Sequence, residues 1–359
     1  MRVHPSQLVT GCLITEDVMG KTSRPIVAKH TVVHPIHIEV LQKFMVGSVN
    51  VAGKLSDGSP FIPDERIEEE TEKKVEASGP FHDQYMEAVQ SYKKWFEDWR
   101  GGMPVDIHAI RQTMVPLLER VIESKWEVFL LHHFSSSKDY IYHHSVAMGL
   151  ITGYLAYKMD EDYGTWIQAG LAGMLSDSGM SRINPRLLEK ETTLREAEFE
   201  EVKKHPTYSY RMVEHVPSLS PGAKLAVLQH HERLDGSGYP LGLPKDKLHP
   251  FSQIIAVSDM YHAMTSERMY RKKQSPFKVL EEIEKEQFGR HDHQIVQVFI
   301  KEMTDYGPGT GVLLSDGRKG NIVFVDSNQP IRPMVRMEED EEILALSEHL
   351  DLYIEEVLN

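Results

Sequence analysis

From Val105 to about Met303, apolar residues recur at three- and four-residue intervals, as in "IRQTMVPLLERVIESKWEVFLL", "SVAMGLITGYLAYKM" and "WIQAGLAGML". That period lays an apolar stripe along an α-helix, so the spacing predicts an all-helical main domain over 105–303. The ends of the chain read differently. Residues 1–60 combine strand-like "CLITEDV" and "RPIVAKHTVV", a more helical "PIHIEVLQKFM" and a β-rich "GSVNVAG", which predicts a small module of a β-hairpin and a packed helix. Residues 304–359 open with "TGVLLSDGRKGNIVFVD", two alternating apolar runs around Asp316-Gly317. This is a hairpin signal, and the segment reads as a small β-rich extension. Between 61 and 104 the chain is charge-dense and helix-favouring, with a break at Ser78-Gly79-Pro80, and a charged helical connector is expected there. The run "MEEDEE" at 337–342 is expected on the surface. The expected fold class is mainly α: an all-helical domain flanked by a small N-terminal α+β module and a small C-terminal β-rich module.

A length of 359 residues suits two or three domains. No apolar run approaches the eighteen or so residues of a membrane span, and "MRVHPSQLVTG" lacks the apolar core of a signal peptide. A cytoplasmic location is expected. Cys12 is the only cysteine, so an intramolecular disulfide and a cysteine-based zinc site are both excluded, and any metal must be held by His and carboxylates. The formal net charge of −14 argues against a nucleic-acid polymer as partner, because phosphate neutralisation needs a basic surface.

The 19 histidines are used unevenly. Four groups stand out: His143-His144, His205-Pro206, His230-His231-Glu232, and Asp259 with His262. A histidine on an apolar helix is commonly a plain core residue, and spacing alone leaves that reading open beside ligation. Adjacent residues on a helix point about 100° apart, so His230 and His231 can reach one metal only near a helix end or across a two-metal cluster. They stand just before "ERLDGSGYP", a Gly-rich turn that ends a helix. A further carboxylate, Asp177, sits in "LAGMLSDSGMSRINP", at the end of another predicted helix.

The stretch "HHERLDGSGYPLGL" (230–243) resembles the signature of the HD-GYP domain, a bacterial branch of the HD phosphohydrolases that hydrolyses cyclic di-GMP. Other matches follow in family order: "HHSVAMG" with His144, "SDSGM" with Asp177, "HPTYSYRMV" with His205, and "IIAVSDMYHAMTSERMYRK" with Asp259. The resemblance covers roughly residues 105–303. It implies an all-helical domain with a two-metal centre, iron or manganese more often than zinc. Carried over by position, Asp177 would bridge both metals and so be catalytic, His205, His230 and His231 would complete one site, and His144 and Asp259 would belong to the other. Mixed imidazole and carboxylate ligands suit such metals, and two ions can clamp the attacking and leaving oxygens of a phosphodiester. Arg268 and Arg271 stand where the family binds phosphates of the dinucleotide, and Tyr239 belongs to a loop associated with the ligand side and with partner contacts.

The same comparison exposes departures. The family pattern His-Asp-x-Gly-Lys has Ser176 in place of its His and Met180 in place of its Lys. A serine hydroxyl is a poor substitute for an imidazole ligand, and a thioether can neither donate to a phosphate nor offset its charge. His262 occupies a position usually Asp, Gln253 one usually Arg, and Tyr140 the place of the Glu that marks a third metal, so no trinuclear site is expected. His262, one turn from Asp259 and on its face, is the better candidate for a substitute ligand; His143 would point away. The resemblance therefore implies a degenerate protein of cyclic di-GMP signalling, binding one or two divalent transition metals and a cyclic dinucleotide with weak or no hydrolysis. A signalling-protein partner is a further expectation. The alternatives are an active metal-dependent phosphodiesterase giving pGpG or GMP, and a metal-free helical interaction scaffold.

Overall fold

A computed structural model of the chain describes residues 2–3, 5–19, 25–43, 49–61, 63, 80–124, 126–190, 192–268 and 273–358. They fall into two compact units, 1–77 and 78–359.

The first unit contains strands β1 (Arg2–Val3), β2 (Val18–Met19) and β3 (Pro25–Val27), helix α1 (Pro35–Lys43) and strand β4 (Val49–Asn50). Strands β2 and β3 pair antiparallel, as do β1 and β4. Val3, Ile14, Val33, Leu41 and Val51 are wholly buried and form its core with Cys12. The expected hairpin and packed helix are both present.

The second unit is built from helices α2 (Pro80–Arg100), α3 (Ile107–Glu123), α4 (Trp126–Phe134), α5 (Tyr140–Lys158), α6 (Tyr163–Leu175), α7 (Pro185–Leu188), α8 (Glu196–Val202), α9 (His205–Val213), α10 (Pro221–Gln229), α11 (Pro250–Thr265), α12 (Pro276–Glu286) and α13 (His293–Met303). A 3-10 turn over Ser178–Arg182 follows α6. Helix α5 is buried on every side from His143 to Ala156, as its all-round apolar sequence requires of a central helix. It lies against α6 at glycine spacing: a Cβ on Gly173 would stand 2.8 Å from the Met148 carbonyl oxygen. That approach brings the start of α5 and the end of α6 to the same end of the bundle.

Two of the expected segments pack against the main core. In the stretch read as a connector, residues 64–79 lie outside the described residues, whereas 80–100 form a helix with one face deep in the main core. Phe81, Tyr85, Val89, Tyr92, Phe96 and Trp99 are buried. Their three- and four-residue spacing hides among Asp, Glu and Lys of the opposite face, and hydrophobic burial of one stripe outweighs the average polarity of the segment. The expected C-terminal β-rich extension is present and packs on the same core. Its strands β5 (Gly311–Leu314), β6 (Lys319–Phe324), β7 (Met334–Met337), β8 (Ile343–Ala345) and β9 (Ile354–Leu358) form one antiparallel sheet in the order β8-β7-β6-β5-β9. Val312, Leu314, Ile322 and Ile354 join the same apolar core as the helices. Arg332 fastens the sheet to α12 through Glu281 at 2.7 Å, and the Ser275 hydroxyl donates to the Ile354 carbonyl at 2.6 Å. The expected hairpin is β5–β6, with Gly317 at φ 89° in its turn. Within "MEEDEE" the acidic residues are exposed, whereas Met337 is buried.

Replacing Phe96 by Ala should destabilise the protein by about 3–5 kcal/mol, the usual cost of emptying a core aromatic site. Urea unfolding measures it, and a loss below about 0.5 kcal/mol would show α2 to be the solvated connector its composition suggests.

Candidate metal centre

Five backbone segments deliver ionisable side chains to one end of the bundle. Asp177 follows α6 as the residue capping the 3-10 turn. The turn lies tight against α9 because Gly179 has no side chain: a Cβ there would stand 2.2 Å from the His205 carbonyl oxygen. The Ser209 hydroxyl bridges the two segments, donating to the Ser176 carbonyl at 2.6 Å and accepting from the Gly179 N–H at 2.7 Å. His205 opens α9, just ahead of Pro206. His230 caps the C-terminus of α10, so His231 already lies beyond the helix and the pair is free to converge. Their ring centroids are 4.1 Å apart.

Ligand atoms of Asp177, His205, His230 and His231 all lie within 4.8 Å of one another. His205 Nε2 stands 3.1 Å and His230 Nε2 3.6 Å from Asp177 Oδ1, and the two Nε2 atoms are 3.2 Å apart. Metal–nitrogen bonds of about 2.1 Å set neighbouring ligand atoms roughly 3 Å apart, so these separations fit one ion. The protons argue the same way. His205 Nδ1 donates to the Val202 carbonyl at 2.7 Å and His230 Nδ1 to the Val227 carbonyl at 2.9 Å. In the neutral imidazoles both Nε2 atoms then carry lone pairs, and they face each other and a buried Asp177 oxygen that has no hydrogen-bond donor among the described residues. Converging acceptors with no proton between them call for a cation.

On the other side of Asp177, His144 Nε2 lies 3.4 Å from Asp177 Oδ2 and 3.2 Å from Asp259 Oδ1. Asp259, on α11, also faces His231 Nδ1 at 3.4 Å. Burial works against ionisation of Asp177, and protons on the facing imidazoles of His205, His230 and His144 would hold its carboxyl well below the usual range; with the Nε2 lone pairs of His205 and His230 turned inward, that role falls to a cation. Asp259 is depressed in the same way, against its burial, by His144 and His231. Burial, reinforced by His230, pushes His231 well below an ordinary imidazole. The centre thus holds two carboxylates among imidazoles, a donor set suited to divalent transition metals.

The residues that break the family pattern occupy definite places. Ser176 is fully buried, and its hydroxyl donates to the Ala172 carbonyl at 2.8 Å, back along α6. Met180 is half-buried against the apolar core. His262 is not brought among the converging ligand atoms, and the expectation of a substitute ligand is corrected here: its Nδ1 lies 3.0 Å from His144 Nδ1, the ring nitrogen opposite the carboxylates. The reason is the path of α11, which passes Asp259 on one side of His144 and His262 on the other. His143 does point away, with its Nδ1 3.4 Å from the Tyr85 hydroxyl.

The loop after His231 is built as a wall for the centre. Glu232 is buried, and its carboxylate accepts the N–H groups of Leu241 at 2.6 Å, Gly242 at 3.1 Å and Leu243 at 3.0 Å. The loop so closed stacks Tyr239 on His231, with centroids 4.7 Å apart. Burial and the carboxylates of Asp259 and Asp177 raise the Tyr239 phenol, which keeps it a hydrogen-bond donor at neutral pH. Two cations stand nearby. Lys203 Nζ is 5.7 Å from the Tyr239 ring centroid, and composition carried no signal for it. Arg268 lies 4.3 Å above the Tyr140 ring and donates to its hydroxyl, while Tyr140 stacks on His144. Arg271 lies outside the described residues.

Comparison with known proteins bears on the family. A family model described as "HD domain" matches residues 130–295. A cyclic di-GMP phosphodiesterase of Pseudomonas aeruginosa is 30% identical over 242 residues, covering 67% of this chain and 58% of the relative. The chain is an HD-GYP domain protein. A cyclic di-GMP phosphodiesterase of Thermotoga maritima is 35% identical over 206 residues, 53% of this HD-GYP chain and 55% of the relative. A 3'3'-cGAMP-specific phosphodiesterase of Vibrio cholerae is 30% identical over 172 residues, covering 48% of this chain and 40% of the relative. The chain thus spans between 40% and 58% of the length of these curated relatives. An HDG"Y"P protein from Bdellovibrio bacteriovorus superposes with a TM-score of 0.51 at 13% identity, over 83% of this chain and 97% of that one, a likeness of fold. Among the described residues no helix of this HD-GYP protein is long and apolar enough to cross a membrane.

Behind the loop, His291 is buried 3.3 Å from Arg233, and burial followed by the Arg233 charge pushes it down to about 4. An unfolded chain protonates this imidazole near pH 6.5, so unfolding takes up a proton between those values. The His291 contribution to stability is fully present above about pH 6.5 and is lost as pH falls toward 4. Melting temperatures measured across that window should fall less steeply for His291→Gln than for the wild type, and equal slopes would sink the assignment.

Proposed function

We propose that this HD-GYP protein binds a divalent transition metal through Asp177, His205, His230 and His231, together with a cyclic dinucleotide, and hydrolyses the dinucleotide weakly or not at all. The family resemblance favours iron or manganese over zinc, and the mixed imidazole and carboxylate donor set suits any of these ions. The observation that carries the reading is Ser176. Its buried hydroxyl is spent on the Ala172 carbonyl, so the His144 and Asp259 side of Asp177 has no imidazole at that position, whereas the opposite side has three. A bound divalent ion would supply Lewis-acid polarisation of a phosphoryl oxygen and a more acidic coordinated water.

The chain's own residues favour binding over turnover. Tyr239 and Arg268 would donate to phosphate oxygens of the dinucleotide, and Lys203 adds a positive charge beside Tyr239. Met180 adds none at the position next to the metal ligands. Electrostatic stabilisation of charge developing on a phosphoryl group is therefore short of one ligand and one cation. The ligand class is proposed from the relatives, whose names specify cyclic di-GMP and 3'3'-cGAMP. Those same names favour the second reading, a working phosphodiesterase in which the Ser176 side is completed by other means.

Metal content per chain, measured on protein purified without chelator beside hydrolysis assays on cyclic di-GMP and 3'3'-cGAMP, separates the readings. About one tightly held metal, lost in His205→Ala, with little product is expected. Installing Ser176→His with Met180→Lys should raise hydrolysis at least about a hundredfold, the scale of restoring a group that stabilises transition-state charge. Two tight metals with rapid wild-type turnover would overturn the proposal.

A further inference from the structure

His144 is held from both sides by one helix. Asp259 and His262 stand one turn apart on α11, and the His144 ring lies between them: Nε2 is 3.2 Å from Asp259 Oδ1, and Nδ1 is 3.0 Å from His262 Nδ1. His262 is completely buried. Two imidazole nitrogens at that distance are hydrogen-bonded only if one carries the proton and the other a lone pair. If His262 Nδ1 accepts, the proton sits on His144 Nδ1, and His144 Nε2 presents its lone pair to the space beside Asp259 and Asp177. If His262 Nδ1 donates, Nε2 of a neutral His144 carries the proton and cannot ligate. Which nitrogen of His144 is available is therefore decided at His262, on the side of the ring away from the carboxylates.

We infer that His262 is a positioning residue that orients His144 and selects its tautomer, and so sets how strongly the His144, Asp177 and Asp259 side of the centre takes a second metal ion. The inference rests on the metal reading proposed above and goes beyond it in assigning the strength of the second position to a residue that need not touch a metal. Its chemistry is graded. A neutral imidazole acceptor orients His144 but donates little electron density through it, while a carboxylate acceptor would also raise the basicity of the ligating nitrogen. Asn and Asp carry Oδ1 at nearly the distance from the backbone at which His carries Nδ1, so both can reach His144 Nδ1. Leu fills similar space and accepts nothing.

The experiment is a titration of full-length protein with Mn²⁺ alone, following the electron paramagnetic resonance signal of free Mn²⁺ to obtain separate first and second equivalents. His262→Leu, His262→Asn and His262→Asp are compared with the wild type. First-equivalent affinity should be common to all four. Second-equivalent affinity should rise from Leu through Asn and His to Asp, each outer step being about tenfold or more, the usual effect of a partner hydrogen-bonded to a ligating histidine. Rescue by Asn marks an acceptor role, since a space-filling role would be met by Leu. Circular dichroism checks that each variant is folded; should Leu fail to fold, the Asn-to-Asp step decides. Equal second-equivalent affinities, or no second equivalent even in His262→Asp, would overturn the inference while leaving the first site intact. Absence of the first equivalent in the wild type overturns the metal reading itself, a separate result.

Discussion

Gly179 carries no side chain because the backbone of α9 occupies the space one would need. That close approach, supported by Ser209 bonding both segments, sets Asp177 3.1 Å from His205. The packing of α5 on α6 at Gly173 performs the same service for His144. Backbone proximity comes first here, and the side chains meet because their main chains nearly touch. A methyl group at either glycine would displace a whole element, since protein interiors have little free volume to absorb the shift.

The electrostatics follow from this proximity. Two carboxylates that stay ionised despite burial, and imidazoles turned with their unprotonated nitrogens inward, are costly to bring together without a cation. Each inward-facing nitrogen is oriented by a partner on the far side of its ring: the Val202 carbonyl for His205, the Val227 carbonyl for His230, and His262 for His144. The two backbone carbonyls can only accept, which leaves the tautomers of His205 and His230 no freedom. His262 can accept or donate, so the third orientation is conditional. The asymmetry of the centre thus has two sources, an imidazole lost at Ser176 and an ambivalent partner behind His144.

The loop from His231 to Leu243 shows how a motif can be legible while its mechanics are not. The glycines and the His pair are plain in "HHERLDGSGYPLGL", and the wall they build on His231 follows from them. The part played by Glu232, a carboxylate shared among three backbone N–H groups, depends on loop closure and has no signature in spacing. Lys203 is further from view still. It caps the C-terminus of α8, two residues before α9 begins, and stands beside Tyr239 only in the folded chain.

Sequence by itself determined the helical domain, the β5–β6 hairpin, the N-terminal hairpin with its helix, and the family, because periodicity and a long contiguous motif are local properties of the chain. It also marked Ser176 and Met180 as departures. Tertiary structure alone decided that α2 belongs to the core, that the C-terminal sheet shares that core with the helices, and that His262 stands behind His144 instead of among the ligands. In each case the outcome depends on which face of an element meets which neighbour. Averaged composition hides the stripe of α2, and a one-turn spacing on α11 places Asp259 and His262 on a common face without saying that a third ring fits between them.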